Sequence, residues 1–369
     1  MARPLPQRPQ HILLIKAHSA GIGDILRSSA AWAVLKERWP EAELHLLFLN
    51  RWPGYPSEEL IAAHHLLSSA HFIPLREGRW GSLRGVGPRA WRQIFRQLHA
   101  LSLKIRPDLI IDHEPHGIET SIVARWWRRH CGAPAVGVAE VPGRGWLYDY
   151  AGPSLRRYAR ERSLAWPMDY TERDFAALAA IGLARRGQGI VLQETPAGRA
   201  WRIQWNRDNP RAGSVVALNI GCGTAGAAQK RPALEILATA LGEFHQRQPH
   251  LLLLLGAAEE APINADFVRL LAAQSGRTEH IQDLAGKTTL TELTGVLQRA
   301  DLVLSSDSGP YHMAVAMGRP TLVYFNFANP EHYHHHKHVR ILVGASSSEV
   351  FTELCQLWEQ NHRATKNLS

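Results

Sequence analysis

Residues 300–325, ADLVLSSDSGPYHMAVAMGRPTLVYF, contain the pattern that decides the fold. Apolar residues from Leu302 to Leu304 predict a buried strand, a short polar turn follows, a helix begins at about Pro310, and TLVYF predicts the next strand. Where a strand end meets a helix N-terminus, several unpaired N–H groups and the positive end of the helix dipole suit an anion, typically a phosphate. An ordinary helix cap followed by proline is the alternative explanation of Asp307, Ser308 and Gly309.

The same alternation of short apolar runs with helical patterns fills two parts of the chain. It runs from ILLIK at residue 12 to WWRRH at residue 130, breaks between about 140 and 212, and resumes from SVVALNIG at residue 214 to TLVYFNF at residue 327. This rhythm is typical of α/β proteins with doubly wound parallel sheets. We predict one domain over 1–175, a linker region over 176–212, a second domain over 213–345 and a C-terminal helix over 346–369. Two such domains place a ligand cleft between the carboxyl ends of their sheets.

Composition points to an acidic partner and a reducing compartment. The 369 residues carry a net charge of +9, and only seven of the 42 basic residues are lysine. Arginine suits bidentate pairing with phosphate or carboxylate, so nucleic acid, an anionic membrane surface and a phosphorylated substrate all qualify as partners. The three cysteines, Cys131, Cys222 and Cys355, are far apart and lack C-x-x-C spacing, which argues against a disulfide framework or structural zinc and for a cytoplasmic protein. No stretch predicts a signal peptide or a membrane span.

The first polar loop, KAHSAGIGDILRSS at 16–29, follows the first predicted strand. Gly21 and Gly23 give it a glycine-rich form but not the spacing of a dinucleotide fingerprint. Asp24 would repel a phosphate at the helix N-terminus, so its carboxylate suits proton acceptance at the edge of the cleft. A simple helix cap is the alternative.

The second polar loop, NIGCGTAGAAQKRPAL at 219–234, follows the strand VVAL. Gly221 and Gly223 let the backbone come close to a ligand, while Lys230 and Arg231 stand where the next helix is predicted to begin. Because two cations there oppose the helix dipole, an anionic ligand between them is expected. A solvated basic pair is the alternative.

A histidine-rich segment, YFNFANPEHYHHHKHVR, follows at 324–340, with five histidines within 332–338. Histidines of this density can bind metal, but no helical pair of the H-E-x-x-H kind is present. We predict a surface loop near the cleft and no metal site.

With these residues in view, the chain resembles the glycosyltransferase family of the ADP-heptose–lipopolysaccharide heptosyltransferases. The resemblance covers most of residues 11–343. Three segments carry it: GIGDILRSSAAWAVLKERWPEAELHLL (21–47), DLIIDHEPHGIETSIVARWWRRHCGAPAVGV (108–138) and IQDLAGKTTLTELTGVLQRADLVLSSDSGPYHMAVAMGRPTLVYF (281–325). The last segment is the most specific, with its Leu-Ala-Gly-Lys-Thr and Asp-Ser-Gly-Pro-x-His patterns.

The resemblance implies a GT-B type fold, in which two Rossmann-like domains face each other across a cleft. The N-terminal domain would bind the acceptor and the C-terminal one the nucleotide-sugar, and transfer would proceed with inversion, without metal or cofactor. By motif, Asp24 resembles the general base and Lys230 the cation that stabilises the diphosphate leaving group. The remaining donor-site residues that the resemblance implies are Arg231, Lys287, Thr288, Asp307, Ser308, Gly309, Pro310 and His312.

The sequence departs from the family pattern at four places. Pro232 stands where an aromatic residue is usual and Asn326 where glycine is usual, NIG replaces His-Pro-Gly, and RSSAA lacks Thr-x-Pro after the base. The donor is expected to be a nucleotide-sugar, ADP-heptose by resemblance. The acceptor would be a saccharide, a glycolipid or a protein in lipopolysaccharide or related glycan assembly, with peripheral contact to an anionic inner membrane.

Two alternatives remain. A nucleotide-sugar epimerase or hydrolase of the same architecture would pass no sugar to an acceptor. A basic nucleic-acid-binding protein is suggested by the charge and by RWWRRH and RAWRQIFRQLH, but no nucleic-acid motif is present, and the second stretch fits a helix with Trp91 and Phe95 turned inward. We therefore expect no nucleic-acid partner.

Overall fold

The computed structural model describes residues 2–18, 21–50, 54, 56–75, 77–80, 83–222, 228–275 and 278–366. The chain forms two compact units, Met1–Ile190 and Val191–Ser369. The boundary between them falls inside the predicted linker region, 176–212. Much of that region is ordered: its helix Pro196–Asp208 packs in the second unit, where Thr195 Oγ1 donates to the Thr291 carbonyl at 2.8 Å.

The first unit is built around a six-stranded parallel sheet with strand order β3-β2-β1-β6-β7-β8. A short antiparallel hairpin, β4 and β5, stands apart from it. The strands of the first unit are β1 (His11–His18), β2 (Glu43–Asn50), β3 (Ser69–Pro74), β4 (Glu77–Trp80), β5 (Leu83–Val86), β6 (Leu109–Asp112), β7 (Ala135–Val138) and β8 (Tyr150–Gly152). Its helices are α1 (Ile22–Leu26), α2 (Ser29–Arg38), α3 (Ser57–Ala62), α4 (Pro88–Ser102), α5 (Ile118–Cys131), α6 (Leu155–Glu161) and α7 (Tyr170–Leu178).

Both faces of this sheet are covered, as the apolar strand sequences require. Even-numbered residues of β1 and β2, such as Leu14 and Leu46, pack with Trp32 of α2 and Phe175 of α7. Odd-numbered residues pack on the opposite face against α4 and α5. Trp91 and Phe95 lie partly buried against that second core, which confirms the inward face predicted for α4.

The second unit repeats the design, with strand order β11-β10-β9-β12-β13-β14, all parallel. Its strands are β9 (Val215–Asn219), β10 (Leu251–Leu255), β11 (Ile281–Asp283), β12 (Leu302–Ser306), β13 (Thr321–Phe325) and β14 (Val339–Val343). Its helices are α8 (Pro196–Asp208), α9 (Leu234–Arg247), α10 (Ala261–Ser275), α11 (Leu290–Arg299), α12 (Gly309–Ala316) and α13 (Ser347–Lys366). The predicted C-terminal helix is thus present, and Trp358 packs edge-on against Phe244 of α9.

Each sheet reverses its strand order once, between β1 and β6 in the first unit and between β9 and β12 in the second. This reversal is the switch point of a Rossmann-like sheet, where the loops at the carboxyl ends of the two strands diverge and leave room for a ligand. The predicted α/β class with two doubly wound domains is confirmed. In the described part of the chain, none of the helices combines the length and apolar character of a membrane span.

Candidate functional site

The carboxyl ends of β9 and β12 lie side by side at the switch point of the second sheet, with Ser305 in register with Asn219. The buried Asn219 side chain donates to Ser308 Oγ at 2.8 Å and to the Gly221 carbonyl at 2.9 Å. Ser306 Oγ donates to the same carbonyl at 2.6 Å. Hydrogen bonds therefore connect the loops that follow β9 and β12, and two of the side chains that form them, Asn219 and Ser306, were not among the predicted site residues.

Gly221, whose carbonyl accepts both of these bonds, also lies close to Glu260. A Cβ atom at Gly221 would collide with the carboxyl group of Glu260, so any other residue would require the Glu260 side chain to move. The structure thus supplies a steric reason for one of the predicted loop glycines. Gly223 lies outside the described residues.

The loop after β12 leads into α12, which begins at Gly309 with Pro310 in its first turn. Ser308 is the N-cap residue by position, but within the described structure its side chain does not cap the helix; its hydroxyl accepts from Asn219 and donates to the Ser306 carbonyl at 3.3 Å. The ordinary-cap explanation therefore does not hold for Ser308. The first-turn N–H groups of α12 point toward the switch point and remain suited to an acceptor from a ligand.

The Asp307 carboxylate contacts two basic side chains of the candidate site. Its side chain is only 4% exposed, Lys230 Nζ lies 2.8 Å from its Oδ2, and His332 Nδ1 lies 3.0 Å from each carboxylate oxygen. Burial alone would raise the pKa of Asp307, but the hydrogen bonds and charges of His332 and Lys230 outweigh it and lower the pKa to about 2. The carboxylate is therefore ionised at neutral pH and holds two side chains from different loops.

Lys230 does not stand at the start of a helix, as the sequence interpretation placed it. It ends a short 3-10 turn, Ala228–Lys230, and α9 begins only at Leu234. The conflict with the helix dipole therefore does not arise, and Asp307 supplies the negative partner. Arg231 follows in the same loop and is half-buried.

Asn326, at the end of β13, holds this loop in place. Its side-chain amide donates to the carbonyls of Gln229 at 2.7 Å and Arg231 at 2.5 Å. A glycine at this position could not make either bond. This departure from the family pattern thus gives the loop that carries Lys230 two additional hydrogen bonds.

The histidine-rich segment is not simply a surface loop, because the prediction is wrong for His334. His334 is buried, and its Nε2 lies 2.9 Å from Nδ1 of the buried His312 on α12. Tyr311 reinforces the contact, since its hydroxyl donates to the His332 carbonyl at 3.2 Å and accepts from the His334 amide at 3.1 Å. The sequence showed the density of histidines but not which of them turn inward.

Ligand atoms of Asp307, His312 and His332 lie within 4.8 Å of one another, so this cluster has the residue types of a metal site. The Lys230 ammonium 2.8 Å from Asp307 Oδ2 would repel a cation there. A carboxylate that is paired with one lysine and one histidine favours an ion-pair cluster beside an anion site over a metal site.

The two remaining donor-site candidates lie farther along the same edge. Lys287 and Thr288 follow β11, which β10 and β9 separate from β12. The exposed Lys287 donates to the Asp283 carbonyl at 2.7 Å. The structure therefore does not join these two residues to the cluster around Asp307.

Asp24 lies in the first unit, on α1 directly after β1. The N-cap of α1 is Gly21, and Asp24 is the third residue of the helix, so Asp24 is not itself the N-cap residue. A Cβ at Gly21 would stand 3.1 Å from Asp24 Oδ2, which shows that the carboxyl group folds back over the glycine. Gly23 is part of the same helix and is half-buried.

Sequence reasoning missed a buried hydrogen-bond network at the carboxyl end of β6. This strand pairs with β1, the strand that precedes Asp24. Asp112 accepts from Arg144 Nη2 at 2.9 Å and from the Tyr148 hydroxyl at 2.6 Å. Burial raises the pKa of Asp112 to about 6, against the lowering effect of Arg144. No motif joins three residues so far apart in sequence, and only the fold brings them together.

Two doubly wound α/β units, each with polar loops at its switch point, define the class of two-domain Rossmann-like proteins called GT-B. Residues 223–357 match the sequence model of glycosyltransferase family 9 (heptosyltransferase), which confirms the family resemblance on the segment that holds Lys230, Asp307 and His332.

Individual relatives agree with this assignment. The chain is 46% identical over 48 residues to the lipopolysaccharide core heptosyltransferase OpsX of Haemophilus influenzae, covering 13% of this chain and 14% of the relative. It is 28% identical over 92 residues to lipooligosaccharide heptosyltransferase 2 of the same organism, covering 25% and 26%. These alignments thus span a small part of each relative. The structure of E. coli ADP-heptose lps heptosyltransferase II superposes with a TM-score of 0.68 at 16% identity, covering 95% of this chain and 99% of that one, which shows a shared fold.

Proposed function

We propose that the protein is an inverting glycosyltransferase that moves heptose from ADP-heptose to an acceptor hydroxyl during assembly of the lipopolysaccharide core. The observation that carries the proposal is the cluster of Lys230, Asp307 and His332 beside the N-terminus of α12. It lies in the segment that matches the heptosyltransferase family model. The names of the related proteins supply the sugar and the acceptor class.

The second unit would bind the donor through its diphosphate. The amides of the first turn of α12 offer hydrogen bonds and the positive end of a dipole, and Lys230 offers a full charge. As the bond between the anomeric carbon and the diphosphate oxygen breaks, negative charge grows on that oxygen, and these groups stabilise it. Asp307 fixes the Lys230 ammonium at this position and is itself too well paired to act as a base.

Asp24 is the proposed general base. The acceptor oxygen forms its bond to the anomeric carbon from the side opposite the diphosphate, and its proton passes to the Asp24 carboxylate. Charge balances because the nucleoside diphosphate leaves as the anion while the acceptor loses one proton. The half-buried setting of Asp24 at the carboxyl end of β1 suits an acceptor that enters from solvent.

We place the reaction in the cytoplasm, with the protein touching the inner membrane from its surface when the acceptor is a glycolipid. Support comes from the net charge of +9 and from aromatic side chains left in solvent, above all Trp146, which is 87% exposed. Basic residues with exposed tryptophan suit an anionic membrane interface.

The test has two stages. First, melting temperature is measured with ADP-heptose, ADP-glucose and UDP-N-acetylglucosamine; a donor present at 100 times its Kd should add about 2.7 kcal/mol to the stability. Second, the enzyme is incubated with ADP-heptose and a heptose-free lipopolysaccharide acceptor, and the acceptor mass is determined. A mass gain of one heptose is expected. Free heptose without a heavier acceptor would identify a hydrolase, an altered sugar still joined to ADP would identify an epimerase, and either would refute the proposal.

A further inference from the structure

A second polar cluster lies at the opposite edge of the first sheet, where β1, β2 and β3 begin. Its members are His11, Glu43, His45, Ser69 and His71. His11 is in register with Glu43, and His45 with Ser69. Because side chains alternate along a strand, all five project from the same face of the sheet. The protein thus concentrates three imidazoles and a carboxylate at the amino edge, away from the carboxyl edge that holds Asp24.

Three side-chain atoms of this cluster form a nearly equilateral triangle. His11 Nδ1 lies 3.2 Å from His45 Nε2 and 3.4 Å from Glu43 Oε2, and His45 Nε2 lies 3.5 Å from that same oxygen. A tetrahedral zinc ion with bonds of 2.0–2.1 Å holds its ligand atoms about 3.3–3.4 Å apart. The three distances between the side-chain atoms, 3.2, 3.4 and 3.5 Å, lie close to this value.

The setting supports metal binding. His45 Nδ1 is 2.9 Å from Ser69 Oγ, which lies 2.9 Å from His71 Nε2, so the imidazole of His45 is oriented through its second nitrogen, as in most histidine–metal sites. The side chains of His11 and Glu43 are 41% and 55% exposed, so a fourth ligand position is open to solvent.

We propose that His11, Glu43 and His45 bind a divalent first-row transition metal ion, with zinc as the type, at the amino edge of the first sheet. The two imidazole nitrogens and the carboxylate oxygen are the donor set that zinc prefers, and water completes the tetrahedron. The ion links β1 to β2 at the amino ends of these two strands. The site takes no part in the proposed sugar transfer, so its failure and the failure of that function are separate results.

The test uses Co²⁺ as a spectroscopic probe on the full chain. Tetrahedral Co²⁺ absorbs visible light far more strongly than octahedral Co²⁺, so titration reports stoichiometry and geometry together. We expect one equivalent with intense absorption in the wild type. His11→Ala and Glu43→Gln should abolish it, and Ser69→Ala should weaken the affinity about 10–100-fold by releasing the His45 ring.

The control is His332→Ala, which disrupts the other cluster with metal-binding residue types and should keep the intense absorption. Zn²⁺ should raise the melting temperature of the wild type and of His332→Ala but not of Glu43→Gln, whose exposed side chain can change without loss of the fold. Weak, octahedral-type absorption in the wild type would refute the site, as would absorption that survives Glu43→Gln.

Discussion

Lys230 Nζ lies 2.8 Å from Asp307 Oδ2, so a cation from the loop after β9 and a carboxylate from the loop after β12 form one ion pair at the switch point of the second sheet. The pair explains how a flexible side chain is held in place at the proposed anion site. It also means that Lys230 has a structural role beside the proposed functional one, which experiments must separate.

Lys230→Ala should weaken donor binding by at least about tenfold, since a charged hydrogen bond to phosphate contributes about 1.5–3 kcal/mol. The melting temperature should fall only modestly, because His332 still bonds to Asp307. Donor Kd by calorimetry and thermal melting measure the two effects. Lys104→Ala, in the loop after α4, is the control for loss of one positive charge. A sharp fall in melting temperature with unchanged donor Kd would leave Lys230 a purely structural residue.

Asn326→Asp should weaken donor binding about 2–10-fold, because it removes the amide donor that holds two carbonyls of the Lys230 loop. Stability should change little, since Asn326 is exposed. The matched control is Asn361→Asp on α13, where a similar amide donates to the Asp301 carbonyl at 3.2 Å. Equal effects of the two substitutions on donor Kd would show that Asn326 does not act through the loop.

Asp149→Asn should destabilise the first unit at neutral pH. The fully buried carboxylate accepts from Arg128 at 2.5 and 2.6 Å and from the amides of Arg3 and Ala135 at 2.9 and 3.0 Å. Burial raises the pKa of Asp149, but these bonds outweigh burial and lower it from 3.8 to about 2, which corresponds to about 2 kcal/mol.

The sign of the pH dependence follows from that lowered pKa. The folded state binds the proton of Asp149 more weakly than the unfolded state, so the stabilisation is present above about pH 4 and is lost as the pH falls toward 2. Urea unfolding between pH 2 and 7 should show wild type and Asp149→Asn converging at low pH. The control Asp266→Asn, which changes an exposed partner of Arg269, should show the same pH dependence of stability as the wild type. Asp149→Asn would show that same dependence if the buried pair contributed nothing.

Much of the fold was accessible from the sequence because periodicity reports burial directly. Runs such as LLLLL at 251–255 became central strands, and the switch-point loops followed from strand–turn–helix patterns. The positions of charged residues were less predictable. The start of α9 at Leu234 rather than near Lys230 depends on the 3-10 turn before it, and the inward turn of His334 depends on Tyr311 and His312, which are distant in sequence.

The proposed sugar transfer should persist in excess EDTA, because in the proposed mechanism Lys230 and the N-terminus of α12 supply the positive charge that Mg²⁺ supplies in other enzymes. Initial rates with and without EDTA measure this. A lower melting temperature in EDTA with an unchanged rate is the effect expected of the amino-edge metal site. Complete loss of transfer, restored by Mg²⁺ or Zn²⁺, would instead assign a catalytic metal to Asp307, His312 and His332.

Asp24→Asn tests the proposed base. Asn keeps the size of the side chain and much of its hydrogen bonding but cannot take a proton from the acceptor hydroxyl. Asp24 is in the first turn of α1, where Asn serves about as well as Asp, so the substitution should leave the fold intact. Donor binding should change little, because the proposed donor loops belong to the second unit, whereas transfer should slow by about 10²–10⁴.

Single-turnover rates with saturating donor, measured from pH 5 to 9, separate proton transfer from binding. Asp24→Glu, which keeps the carboxylate but moves it, should recover part of the rate, and the charge-matched control Glu41→Gln on the surface should not differ from the wild type. If Asp24→Asn turns over at the wild-type rate, Asp24 takes no part in the chemistry, and the base must be sought among the other carboxylates and imidazoles at the carboxyl edge of the first sheet, with His113 and Glu114 after β6 as the next to be substituted.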